Sequence, residues 1–347
     1  MKRFNELSEE EEERALNLYR KAIVIDAQEP AASPSRANVQ YIQTLQKSGL
    51  TATVTLMYRG TAPGRSADLH MALTTTNDTY STIKNNCKNI LHVTEADDIR
   101  KAKREGKVGL ILGTSRIPPI GDNLKLLNIF HKLGLRVSQL TWNFGNQVGD
   151  GCSERTNRGL SDFGIEVIEE MNRLGILIDL SHAGDATAMD TVEMSKDPAI
   201  FSHSNPRGVF DNRRNVPDEP IKALAEKGGV FGVTFASSSL GAGVQKSLEE
   251  ITAEDVIDHI DYIVDLIGVD HVGFGSNFAH PIAKFHKWEY EAFPEMVPYA
   301  GLKPISLDRV SKLPNLARGL VARGYSDNEI TKILGDNFLR VFEKVWK

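Results

Sequence analysis

The stretch LSDFGIEVIEEMNRLGILIDLSHAG, residues 160–184, carries the pattern on which the fold turns. Its first part puts Phe163, Val167, Ile168 and Met171 on one face of a 3.6-residue period and stops at Gly175, a residue suited to the left-handed turn that ends a helix. Its second part, Ile176–Leu180, is a short unbroken apolar run, the mark of a strand buried on both faces. A helix feeding a doubly buried strand is half of a βαβ unit. The unit recurs along the chain: strand patterns fall at Ile23–Ile25, Thr51–Met57, Val108–Leu112, Arg136–Thr141, Ile176–Leu180, Ala199–Ser202, Gly229–Phe235 and His271–Gly275. Amphipathic segments separate them, and EDVIDHIDYIVDLIG, residues 254–268, repeats the device before the last strand. Eight such units predict a closed (β/α)8 TIM barrel. A doubly wound open sheet is the alternative, but no glycine-rich dinucleotide fingerprint follows any strand.

The chain has 347 residues, 41% of them apolar and 25% charged, ordinary values for a soluble globular protein. With no repeat or low-complexity linker to divide it, residues 1–347 read as one barrel domain. A net charge of −5 offers no field for a phosphate backbone, so nucleic acid is not an expected partner. No apolar run approaches the ~18 residues of a membrane span, so no membrane association is expected. Two cysteines, Cys87 and Cys152, cannot build a disulfide framework, and a cytoplasmic location is the expectation. The acidic run Glu9–Glu13 reads as the solvated first turn of an N-terminal helix over about residues 8–21. The segment 279–308 is long and aromatic for a connection; Phe285, Trp288, Tyr290 and Phe293 are expected to roof the site or meet a second subunit. His280 and His286 within it read as surface residues.

In a barrel, chemistry gathers where strands end. There the chain places Gln28 and Glu29, Ser115 and Arg116, Trp142 and Asn143, His182, His203 and Asn277. His182 in LIDLSHAG and His203 in AIFSHSNP end consecutive strands, and neighbouring strands lie about 4.8 Å apart, so the two imidazoles can converge. Each could instead cap its own strand.

The segments GILIDLSHAG, FSHSNPRGVFDNRRNVPDE, MNRLG and LGDNFLRVFEKVW resemble the membrane (renal-type) dipeptidases, peptidase family M19, and the likeness runs from about Ala22 to Trp346. The resemblance implies a metal-dependent barrel with two zinc ions bridged by a glutamate. One ion is held by a His-x-Asp pair after the first strand and an Asp after the last; the other by the two Ser-His histidines. It also implies that an Arg in an Arg-Asn-x-x-Asp motif and a His after the fourth predicted strand bind substrate. His182 and His203 match the second zinc's ligands, and Arg214 matches the substrate arginine. The other positions depart: the His-x-Asp pair reads Gln28-Glu29-Pro30, the bridging Glu is Ser115, the last Asp is Asn277, and the fourth-strand His is Trp142. Around NFGNQVGDGCSER and ARGYSDNEITKILGDNFLRVF the chain resembles a branch of the family that lacks the His-x-Asp pair.

Amide oxygens carry no charge and are poor zinc ligands, so a two-metal hydrolase is not expected. The expectation is a dipeptidase-like hydrolase acting on an amide in a small carboxylate-bearing substrate, with one zinc on His182 and His203, or none. Glu29, Asp150 and Cys152 are candidates for a third donor, although Glu29 also reads as a solvated loop carboxylate and Cys152 as a buried loop thiol. Ser115 and Asn277 are candidate catalytic hydrogen-bond donors; Arg214, Trp142, Gln28 and Asn143 are candidate substrate contacts. Arg214 could instead pair with Asp218 and Glu219, and Trp142 could stack on a cationic group. A metal-free enzyme using the histidines as acid–base groups and an inert small-molecule-binding relative are the alternatives. The family resemblance further implies a homodimer.

Overall fold

The computed structural model describes residues 2–29, 39–57, 68–278 and 304–347. The aromatic segment with Phe285, Trp288, Tyr290 and Phe293, together with Pro30, His280 and His286, lies outside the described residues. Nine strands appear: β1 (Ile25–Asp26), β2 (Ala52–Leu56), β3 (Ile90–Val93), β4 (Val108–Thr114), β5 (Val137–Gln139), β6 (Leu177–Asp179), β7 (Ile200–Ser204), β8 (Val230–Thr234) and β9 (Val272–Gly275). Eight form one parallel path in the order β1-β2-β4-β5-β6-β7-β8-β9. The Ala27 N–H donates to the Phe274 carbonyl at 3.1 Å and the Asn277 N–H to the Gln28 carbonyl at 2.7 Å, so β9 meets β1 and the predicted (β/α)8 barrel is closed.

The ninth strand is a departure from the expected eight. Residues Ile90–Val93 pair with the first half of β4, Val108–Ile111, whereas β5 pairs only with Gly113 and Thr114 at its far end. β3 therefore fills the N-terminal edge that the short β5 leaves open. Its pattern, ILHV, buries only the first and last residues, so it has neither the unbroken apolar run nor the strict alternation that marks a strand in sequence.

Helices α1 (Glu9–Lys21), α2 (Val39–Lys47), α3 (Leu69–Asn85), α4 (Ala96–Glu105), α5 (Lys125–Lys132), α6 (Asp162–Leu174), α7 (Asp185–Met194), α8 (Asp218–Glu226) and α9 (Ala253–Ile267) surround the sheet. The acidic run forms the first turn of α1, where Ser8 and Glu11 cap each other's backbone. Helix α6 ends at Gly175, whose φ of 75° only glycine adopts without strain.

Two cores result. Outward-facing Leu110, Leu112, Ile178, Phe201, Phe231 and Phe274 pack beneath the helices. A second cluster joins Ile25, Ala52, Val137, Leu177, Ile200 and Val230 to Phe338 and Phe342 of the C-terminal helix Asn337–Val345. Those six aliphatics are the first residues of their strands, so this helix seals the N-terminal end. Gly273 admits it: a methyl group there would come within 2.4 Å of the Phe338 ring. Chemistry is left to the opposite, C-terminal face.

Within α9, His259 is 1% exposed and its Nδ1 has no partner among the described residues. Burial lowers its pKa from 6.5 to about 3, with Asp255 opposing and Lys246 adding to the shift. A depressed pKa contributes stability above the unfolded value that is lost as pH falls toward the folded one, at up to about 1.4 kcal/mol per pH unit. Denaturant unfolding between pH 6.5 and about 3 is therefore expected to weaken the protein more steeply than its His259→Leu variant; parallel curves would contradict this.

Candidate active site

The site is built from one device used twice. At the end of β6, Asp179 is 2% exposed; its Oδ1 accepts the Ser181 and Ser202 N–H groups, each at 2.9 Å, and its Oδ2 accepts the Ser202 hydroxyl at 2.5 Å. At the end of β1, Asp26 accepts the Gln28 N–H at 3.1 Å, the Ser276 N–H at 2.9 Å and the Ser276 hydroxyl. Each carboxylate ties its own strand end to the neighbouring one. The residue after each clasped serine, His203 or Asn277, is thereby aimed at the mouth. The fit around Ser202 is close, because a methyl on Gly232 or Gly275 would lie 2.2 or 2.1 Å from its carbonyl oxygen.

The Asp179 clasp orders the imidazoles. An ionised Asp179 can only accept, so Ser202 spends its one proton on it and must accept from His203 Nδ1, 2.6 Å away. His203 then carries its proton on Nδ1. On the other side His182 Nδ1 lies 2.6 Å from the Asn143 carbonyl oxygen, which can only accept. Both remaining Nε2 atoms bear lone pairs, and they face each other at 3.1 Å. Something electropositive, a proton or a metal ion, is required between them.

Burial, then the charges of Arg214, His203 and Arg116, push His182 well below the ordinary histidine pKa. It is a neutral imidazole at neutral pH. Burial raises the Asp179 carboxyl against the pull of its serine donors. Backbone strain collects in the same place: Asn143, His182 and Asn277 adopt positive φ of 57°, 71° and 52°, conformations that non-glycine side chains adopt at a cost.

Arg214 is 8% exposed and donates to Ser204 Oγ at 2.8 Å and the His203 carbonyl at 2.6 Å. It does not pair with Asp218 or Glu219; Asp218 instead accepts the Tyr262 hydroxyl. Among the described residues no carboxylate neutralises this guanidinium. Trp142 stands 5.6 Å from the His182 ring, tilted by 30°.

Several other residues fall differently. Glu29 is fully buried rather than solvated, and its Oε1 accepts the Tyr41 hydroxyl at 3.0 Å. Asp150 is not free to serve as a third donor, since it accepts from Thr156 Oγ1 at 2.6 Å and from the Arg158 N–H at 2.7 Å. Cys152 Sγ lies 3.5 Å from Asn143 Oδ1, and burial raises its pKa, so it remains a thiol. Gln28 and Asn277 are joined through their backbones across the β1–β9 seam, while Ser115 is half-buried beyond β4 and bonded to neither histidine. The clasp residues Asp26, Asp179, Ser202 and Ser276 were not among the expected site residues. A serine precedes the site residue at three strand ends, in Ser181-His182, Ser202-His203 and Ser276-Asn277, and that repetition is their trace in the sequence.

This chain belongs to the membrane dipeptidase family, peptidase family M19, whose model matches residues 12–293 and 298–347. Dipeptidase tcpJ of Claviceps purpurea is 32% identical over 72% of the chain, and dipeptidase verJ of Clonostachys rogersoniana 33% identical over 72%. The matched regions make up 54% and 58% of those proteins, so the chain spans about half the length of the curated relatives it matches. A solved amidohydrolase from Pseudomonas aeruginosa is 30% identical, with 96% of this chain and 99% of that one aligned at a TM-score of 0.83.

Removing the Ser202 hydroxyl takes a donor from Asp179 and an acceptor from His203. Ser202→Ala is expected to cost about 1–3 kcal/mol in denaturant unfolding; a change below ~0.5 kcal/mol would show that the clasp is not holding the strand ends.

Proposed function

We propose that the protein is a hydrolase cleaving an amide bond in a small carboxylate-bearing substrate, a dipeptide or an amino-acid derivative, with one metal ion rather than two. The observation that carries this reading is the pair of Nε2 lone pairs facing each other at 3.1 Å beside the unneutralised Arg214. Two nitrogens on one tetrahedral zinc, each about 2.0–2.1 Å from it, are roughly 3.3 Å apart, so the histidines fit one ion. The donor set does not fit a second: Gln28, Asn277 and Ser115 supply no charge to hold it.

A zinc ion on His182 and His203 would lower the pKa of its bound water toward ~7 and polarise a carbonyl. The remaining work falls to the chain. Arg214 has three of its five N–H groups unspent, enough to take both oxygens of a carboxylate. Ser115 and Asn277 would donate hydrogen bonds to a developing oxyanion. Trp142 gives the substrate an apolar or π-facing wall beside His182. The missing charged ligands also favour a second reading, metal-free proton transfer in which neutral His182 is the base and Asp179, Ser202 and His203 form a relay behind it.

Elemental analysis after equilibration with Zn²⁺ is expected to find about one zinc per chain, absent from His182→Ala and His203→Ala. Arg214→Met is expected to lower kcat/KM for a dipeptide about 100-fold, the cost of leaving a carboxylate without its guanidinium. Turnover without bound metal would favour the acid–base reading; neither metal nor turnover on dipeptides and N-acyl amino acids would favour an inert binding protein.

A further inference from the structure

We infer that Asn143 is a positioning residue rather than a substrate contact: its side-chain carbonyl holds His182 in the Nδ1–H tautomer, and the segment Gly151–Ser153 is the staple that keeps it there. The kinetic side of this role rests on the histidine pair being the reacting centre; the tautomer does not.

The staple joins two strand ends that the Thr141 hydroxyl also links, through a longer contact of 3.4 Å to the His182 carbonyl. The Cys152 N–H donates to the His182 carbonyl at 2.8 Å and the Ser153 N–H to the Asn143 carbonyl at 2.7 Å, so one short segment grips both residues by their backbones. Gly151 is pressed against Asn143 so tightly that a methyl group would lie 2.4 Å from its carbonyl carbon and oxygen. Both gripped residues have positive φ, 57° and 71°, which an isolated chain would avoid and the staple enforces.

The side chains complete the arrangement. The Asn143 amide turns its oxygen toward His182. The Cys152 sulfur packs on the other side of that oxygen, 3.5 Å away. With that oxygen facing His182 Nδ1 at 2.6 Å, the imidazole must carry its hydrogen on Nδ1 and point an Nε2 lone pair at His203. An amide turned over by 180° would donate to Nδ1 instead and give the opposite tautomer. That tautomer would put a hydrogen where a ligand or an incoming proton has to sit.

The test is a long-range ¹H–¹⁵N correlation spectrum of the full chain with ¹⁵N-labelled histidine, near neutral pH, as purified and after chelation, with His182 assigned through His182→Ala. The expected result is a protonated Nδ1 and an unprotonated Nε2 in wild type. Asn143→Gly tolerates the positive φ but removes the acceptor, and should mix the tautomers. Asn143→Asp keeps an acceptor and should restore the wild-type pattern. In parallel, kcat/KM on a dipeptide should fall about 10- to 100-fold in Asn143→Gly, as for other partners of active-site histidines, and recover to within a few-fold in Asn143→Asp. An Nε2–H tautomer in wild type, or no change in Asn143→Gly, overturns the inference whatever the activity. Absence of turnover alongside the expected spectra would count against the hydrolase reading alone.

Discussion

The carboxylate of Asp179 sets the geometry on which the site depends. Buried at the end of β6, it draws the Ser202 hydroxyl and two backbone N–H groups to itself, and its strand and β7 are thereby locked in register at the barrel mouth. The lock has a chemical consequence as well as a mechanical one. Because Ser202 must donate to Asp179, it must accept from His203, and the far nitrogen of His203 faces His182 with its lone pair. A buried carboxylate is expensive unless its lone pairs are filled. Here filling them is the same act as orienting a histidine.

The matching clasp of Asp26 and Ser276 stands beside the uncharged side chains of Gln28 and Asn277. The two clasps are alike in build, and the residues beside them differ: Gln28 and Asn277 on one side, His182 and His203 on the other. Arg214 forms no ion pair with a carboxylate among the described residues, and its charge and that of Arg116 both act on His182. A mouth of that kind favours a neutral imidazole at His182.

The barrel was readable in the sequence because its strands fall in short apolar or β-branched runs with helical periods between them. β3 escaped because four residues with a half-exposed centre carry no period of their own; only the short β5 beside it creates the need for it. His182 and His203 were found because strand ends are where barrels do chemistry. Their hydrogen-bond relay was not, since a serine within a strand looks like any small residue until its partner across the sheet is known. The alternative of a solvated Glu29 failed for a similar reason: nothing local in the sequence reveals that Tyr41, twelve residues on, bonds to it in a buried position. The roles of Asn143 and Cys152 depend on loop geometry and on two left-handed residues, which spacing does not encode.

The central claim is that two facing nitrogen lone pairs form a seat for a single cation. X-ray absorption at the zinc edge of the loaded protein tests it most directly. The account predicts scattering from two imidazoles at about 2.0–2.1 Å, lighter oxygen donors completing the shell, and no second metal. A metal–metal distance near 3.5–4 Å, or a zinc shell without histidine, would contradict it.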